Sequence, residues 1–296
     1  MLSLKHILVA TDFSAISVAA LRHALGIARR YQSNVSVLHI IDPAVYGIAG
    51  PDGISAETEV ALREFASIDA RLRSEALLGD LRLDFAVEVG PVWRTIADAI
   101  NVKCPGALVL GTRGRTGLRK LALGSVAESA FREAPCLVLT VGPKALRSKS
   151  SGAEAKGFLI PTDLSPESMK ALPYGISLAR GASSQLTLLH VLNSSVDDGD
   201  QNMETVRAIE TRLREFLRLH QNTETTVRFM VEAGSPAKVI LRVAERHHMD
   251  LIVMGLRAWS GDGQPMWRNA YTVVTRAPCP VLSMKTQAPS EAEVAS

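Results

Sequence analysis

The sequence predicts an α/β fold of two tandem doubly wound domains, each with a five-stranded parallel sheet flanked by helices. Two observations carry that prediction, an internal repeat and a regular alternation of strand-like and helix-like periodicity. "HILVATDFS" at residues 6–14 returns as "GFLIPTDLS" at 157–165, and "SVLHII" at 36–41 returns as "TLLHVL" at 187–192, with one common offset. Further on, Gly90 of "VEVGP" answers to Gly234, Gly111 of "LVLG" to Gly255, and Cys136 of "APC" to Cys279, at a slightly shorter offset. The second copy has therefore lost about seven residues after its second strand, where a connection tolerates the loss. Collinear repeats this long are two copies of a domain, not units of a solenoid.

Within the first copy the strand-like runs are 6–11, 34–41, 82–89, 106–111 and 136–141. Between the first two, Val18, Leu21, Leu25 and Ala28 recur at spacings of three and four, one stripe of an amphipathic helix. Ser14 is placed to cap that helix, and in the second copy Ser165 precedes Pro166, which suits a first helical position. Pro173 falls inside the second copy's version of the helix and should kink or shorten it. Strands alternating with helices make βαβ units with right-handed crossovers.

The domains are expected at residues 1–142 and 157–286. Between them, "GPKALRSKSSGAEAK" reads as a linker over 143–156, and 287–296 reads as a disordered tail. At 47% hydrophobic and 21% charged residues the chain is an ordinary globular protein. A net charge of +3 is too small to imply a nucleic-acid or membrane surface. Cys104, Cys136 and Cys279 have no CxxC spacing and read as reduced thiols, the latter two inert at the start of equivalent buried strands. The apolar run before Asp12 is too short for a signal-peptide core, so a cytoplasmic location is expected, with neither nucleic acid nor membrane as partner.

The chemistry concentrates in "GTRGRTGLRKLALGSV", residues 111–126. It leaves the carboxyl end of the fourth strand and leads into a helix beginning near Ser125, where open α/β sheets bind ligands. Glycines admit close backbone approach, and a helix start offers unpaired N–H groups with a partial positive charge. Arg113, Arg115, Arg119 and Lys120 add cations, so the ligand expected is a polyphosphate. The pattern GxxxxGK[ST] is absent, and no GxGxxG follows the first strand.

The spacing Gly111, two residues, Gly114, nine residues, Gly124-Ser125 resembles the universal stress protein family, in its ATP-binding branch and tandem form. Both copies also carry its "TD[FL]S" opening and "LH" strand. The resemblance implies ATP as ligand, with Mg as an accompaniment, and strand order 3-2-1-4-5. It implies that Asp12 faces the adenosine, that Ile40 lines the adenine pocket, and that Gly111, Gly114, Gly124 and Ser125 hold ribose and phosphates. Val126 would add a backbone N–H.

In the second copy, "GLRAWSGDGQPMWRNAY" keeps Gly255 but has Ala258 for the second glycine and Trp267, Arg268 or Asn269 where glycine and serine should lie. That domain is expected to be degenerate, with Asp163 a capping residue and the domain a pseudo-dimer partner for the first; a homodimer is a further expectation. His39 and His190 read as satisfied core histidines. No catalytic Ser/His/Asp set or carboxylate pair stands near the loop. The reading is a nucleotide-dependent stress-response module and at most a weak ATPase; the competing readings are a slow ATPase or phosphotransfer enzyme and a chaperone-like protein with a vestigial motif.

Overall fold

The computed structural model describes residues 4–48, 50–114, 123–147, 155–179, 184–192, 199–218, 226–257 and 265–286. The chain divides into two compact units, Ser3–Glu154 and Ala155–Ser296 with the first two residues. In the first unit the order is β1 (His6–Thr11), α1 (Ala15–Tyr31), β2 (Asn34–Ile41), α2 (Pro43–Tyr46), α3 (Gly50–Ser74), β3 (Leu83–Val89), α4 (Val92–Lys103), β4 (Ala107–Gly111), α5 (Ser125–Glu133) and β5 (Leu137–Val141). In the second it is β6 (Gly157–Thr162), α6 (Pro166–Met169), α7 (Ala171–Ala179), β7 (Gln185–Leu192), α8 (Gly199–Arg218), β8 (Thr226–Ala233), α9 (Pro236–Arg246), β9 (Leu251–Arg257), α10 (Pro265–Arg276) and β10 (Val281–Thr286).

In the first unit β3 pairs β2, β2 pairs β1, β1 pairs β4 and β4 pairs β5, all parallel. The second repeats the order as β8, β7, β6, β9, β10, again parallel. What the pairings establish is five parallel strands in this order in each unit; the ten strands do not divide into the two separate five-stranded sheets that the sequence predicts. Helices cover both faces of parallel strands, so the central strands read as continuous apolar runs: Ile7, Leu8 and Val9 are fully buried, as are Leu159 and Ile160.

The predicted helix stripe lies inside, with Val18, Leu21, Leu25 and Ala28 all buried. The Ser14 hydroxyl accepts from the Ser17 N–H at 3.3 Å, and Ser165 caps its helix through the Ser168 N–H at 3.2 Å. Pro173 acts as its chemistry requires. It has no N–H to give the carbonyl of Met169, four residues earlier, and the helix stops at Met169. The 17 residues of α1 correspond to a four-residue α6 and a nine-residue α7. The shortening of the second copy falls between its second and third strands, where 25 residues of α3 answer to 20 of α8.

The start of the segment read as a linker is structured. Pro143–Arg147 forms a 3-10 turn in which Ala145 is 2% exposed. The tail 287–296 lies outside the described residues. No helix among the described residues is long and apolar enough to cross a membrane.

The cysteines differ from one another more than their sequence positions suggest. Cys279 is buried, but Cys136, expected to be equally inert, is half-buried, and Cys104 is exposed. Burial, with the charge of Asp250 adding to it, pushes the Cys279 thiol up to about 12. A thiol reagent at about pH 8 is therefore expected to label Cys104 in the native chain and to reach Cys279 only on unfolding, since only the thiolate reacts. Mass mapping of the labelled peptides checks this, and rapid native labelling of Cys279 would contradict it.

Candidate functional site

The motif "TDFS" folds as a turn held by its own side chains. The Thr11 hydroxyl accepts from the Phe13 N–H at 3.0 Å, and Asp12 Oδ1 accepts from the Ser14 N–H at 3.1 Å. Phe13 is forced to φ 61°, left-handed backbone that a non-glycine residue rarely adopts. Its ring lies 4.6 Å from that of His39. The second unit reproduces the turn without the first unit's glycine loop: Leu164 has φ 65°, its N–H bonds Thr162 Oγ1 at 2.9 Å, and Asp163 Oδ1 accepts from the Ser165 N–H at 3.0 Å. Asp163 is not itself the capping residue expected but braces the residue that caps α6, Ser165, and Asp12 braces Ser14 in the same way. In both units the aspartate is thus part of the turn's own hydrogen bonding.

Burial alone would raise the Asp163 carboxyl, but hydrogen bonds from Ser165 and Ser168 outweigh it and hold the group below the usual range. A depressed carboxylate contributes stability above its unfolded pKa and loses it as pH falls through the folded one. Asp163→Asn should therefore unfold at lower temperature near neutrality and show a flatter decline as pH falls below about 5. A melting series with the same acid slope as the parent would refute this.

Asp12, Ile40, Gly111, Arg113, Gly114, Gly124, Ser125 and Val126, the eight residues singled out in the sequence, all line one cavity of about 390 Å³ in the first unit. This lies within the range of roughly 300–1,000 Å³ usual for small-molecule sites. β1 and β4 are paired, which sets Asp12 and the loop after Gly111 at the same end of the strands. A Cβ at Gly114 would come 2.7 Å from Asp12 Oδ2, so the loop backbone lies directly on the carboxylate. The Gly124 N–H donates to the Thr112 carbonyl at 2.9 Å, closing the loop on itself at the start of α5, and a Cβ there would stand 3.3 Å from the same oxygen. Arg113 brings a cation to the wall; Arg115, Arg119 and Lys120 lie outside the described residues.

Gly111 has a second reason to be glycine, because a Cβ would meet Ile16 Cγ2 of α1 at 2.9 Å. The same holds more severely at Gly255, where a Cβ would run into the Glu167 carbonyl of α6. Helix packing therefore accounts for the retention of Gly255 in a copy that lacks the rest of the loop. The loop residues 258–264, Ala258 among them, lie outside the described residues, but the helix after them is described. α5 and α10 each end three residues before the equivalent cysteine, at Glu133 and Arg276, yet α5 has nine residues and α10 twelve. The positions matching Gly124 and Ser125, Trp267 and Arg268, thus sit inside α10 instead of at its start.

A further part of the lining, Val45 and Tyr46 of α2 and Val92 and Ile96 of α4, lies outside the sequence motifs. Its signals were available. Asp42-Pro43 is an N-cap followed by a first-turn proline, and the Asp42 side chain accepts from the Ala44 N–H at 3.0 Å. Val92 and Ile96, four apart, share a helix face. His39 is the satisfied core histidine expected, 4% exposed with Nδ1 2.8 Å from the Thr11 carbonyl, whereas His190 makes the same contact to Thr162 at 2.9 Å but is half-buried. No cluster of metal-ligating side chains occurs among the described residues.

The family model described as "Universal stress protein family" matches residues 3–142 and again 155–285. Among curated proteins, a universal stress protein of Methanocaldococcus jannaschii is 28% identical over 138 residues, spanning 46% of this chain and 81% of that protein. The crystal structure of a universal stress protein from Archaeoglobus fulgidus matches at a TM-score of 0.67 and 22% identity, covering 96% of this chain and 99% of that one. A universal stress protein solved in complex with cAMP is 17% identical, with a TM-score of 0.36, and covers 45% of this chain and 98% of that one.

Proposed function

The chain belongs to the universal stress protein family, and from that premise we propose that its first unit binds one adenine nucleotide, ATP, and acts as a nucleotide-dependent module of a stress response in the cytoplasm. The observation that carries the reading is the convergence of Asp12, Ile40 and the 111–114 and 124–126 segments on one cavity. Its lining combines two chemistries: a glycine loop, a helix start and Arg113, suited to phosphates, and the apolar side chains of Ile40, Val45, Val92 and Ile96, suited to a flat base. Asp12 lies against the loop and suits the ribose hydroxyls. Mg would accompany the phosphates.

A binding module asks nothing more of the site. Phosphate transfer would need a group to orient the attacking water or hydroxyl, and among the described residues lining the cavity only Asp12 is an acid or a histidine. Asp12 is itself engaged by the Ser14 N–H. Turnover is accordingly expected far below the ~10 s⁻¹ of a typical enzyme. Denaturing freshly purified protein and identifying the released small molecule by chromatography and mass tests the reading. ATP or another adenine nucleotide is the expected result, and full-length protein that neither releases nor rebinds one would overturn it.

A further inference from the structure

α4, the helix that carries Val92 and Ile96 into the cavity lining, is tied down at both ends by polar contacts. Pro91 gives its opening turn no side-chain cap. In that turn the Trp93 indole N–H donates to Glu133 Oε2 at 2.6 Å, which joins α4 to the last residue of α5 beside it. At the other end, Lys103 Nζ donates to Asp84 Oδ2 at 3.0 Å and to Ser36 Oγ at 3.3 Å. The Ser36 hydroxyl reaches the same carboxylate oxygen at 2.9 Å, and His6 Nε2 lies 2.9 Å from Ser36 Oγ. That cluster fastens the end of α4 to β1, β2 and β3.

The second copy supplies an internal comparison. By the repeat offsets, Trp93 and Glu133 correspond to Ala237 and Arg276, and His6, Ser36, Asp84 and Lys103 to Gly157, Thr187, Arg228 and His247. Neither tie can form there, and the Thr187 hydroxyl is buried without a partner. α9 nonetheless packs, with Ala237, Val239, Ile240, Val243 and Ala244 all buried. The fold does not require the ties; they occur in the unit that has the glycine loop.

We propose that Trp93 and Glu133 are positioning residues for the ligand, their hydrogen bond fixing α4 against α5 so that Val92 and Ile96 stand ready for the base while the first residues of α5 meet the phosphates. The inference rests on the nucleotide reading above. A wall set before the ligand arrives adds no ordering cost to binding, whereas one that must be ordered on contact takes that cost out of the affinity.

The test is calorimetric titration of the full-length protein with ATP, together with thermal melting of each variant without ligand. Glu133→Ala and Trp93→Phe each remove the bond and should weaken ATP binding by about threefold to fivefold. The double variant should be no weaker than either single one, since both act through the same contact. Glu133→Gln keeps an acceptor oxygen and should stay within about twofold of the parent. In a Val92→Ala background, where α4 has lost part of the lining it positions, the cost of Glu133→Ala should drop below about twofold; a merely structural role would carry its full cost into that background. Single variants that bind ATP as tightly as the parent, single effects that multiply in the double variant, or an undiminished cost with Val92→Ala would overturn the inference and leave the nucleotide site standing. A parent that binds no ATP would remove the nucleotide reading and this inference together.

Discussion

Replacing Gly124 with valine is expected to abolish ATP binding, with affinity falling by at least about a hundredfold, while melting without ligand moves by only a few degrees. The backbone permits the substitution, since Gly124 has φ −67° and ψ 150°, ordinary extended geometry. The obstacle is space. A Cβ already stands 3.3 Å from the Thr112 carbonyl and 3.7 Å from the Arg113 Cα, so the remaining methyl groups must enter the loop or the cavity. There they cover the N–H groups at the start of α5. The helix loses a fair N-cap residue for a poor one, a cost of about 1 kcal/mol. Titration and thermal melting of the purified variant check both halves. Unchanged ATP affinity would remove the central claim, and a collapsed melting temperature would show Gly124 to be structural.

Calorimetry on the full chain should give close to one adenine nucleotide per chain, and Gly114→Val should take that number to zero. Both units keep the aspartate turn and the histidine, so a count of one requires the difference to lie in the loop and the helix after it. In the first unit Gly124 precedes α5, whose first residues, Ser125, Val126 and Ala127, line the cavity. In the second, α10 begins three residues earlier relative to the shared cysteine. At 1.5 Å per residue its positive end is displaced by about 4.5 Å, a distance over which the attraction of a helix end for an anion largely fades. Two equivalent sites per chain, or one that survives Gly114→Val, would sink the assignment to the first unit.

The strands were legible because each is a compact apolar run between turn residues: the five predicted in the first unit agree with the observed ones to within one residue. The glycines were legible because their spacing is a covalent fact. The lining contributed by Tyr46 and Ile96 was harder to see, since it depends on where α2 and α4 come to rest against the sheet. The reason for Gly255 was hidden for the same cause, because the carbonyl that excludes a side chain there belongs to Glu167, far away in sequence. A motif also says which residues recur, but not which of their roles recurs. "TD[FL]S" marks a nucleotide site in the sequence, and the structure shows that the same residues also form a turn present in both units.

That turn bears on the kinetics of binding. Thr11, Asp12 and Ser14 are locked together by hydrogen bonds within four residues, and Phe13 is wedged against His39 and lies 6.2 Å from the Phe85 ring. The carboxylate thus has its orientation before any ligand arrives, and the awkward backbone of Phe13 is a cost of folding, not of binding. Association at this end of the cavity needs no slow rearrangement, so nucleotide should enter in a single concentration-dependent phase, and differences in affinity among ligands should appear mainly in how fast they leave.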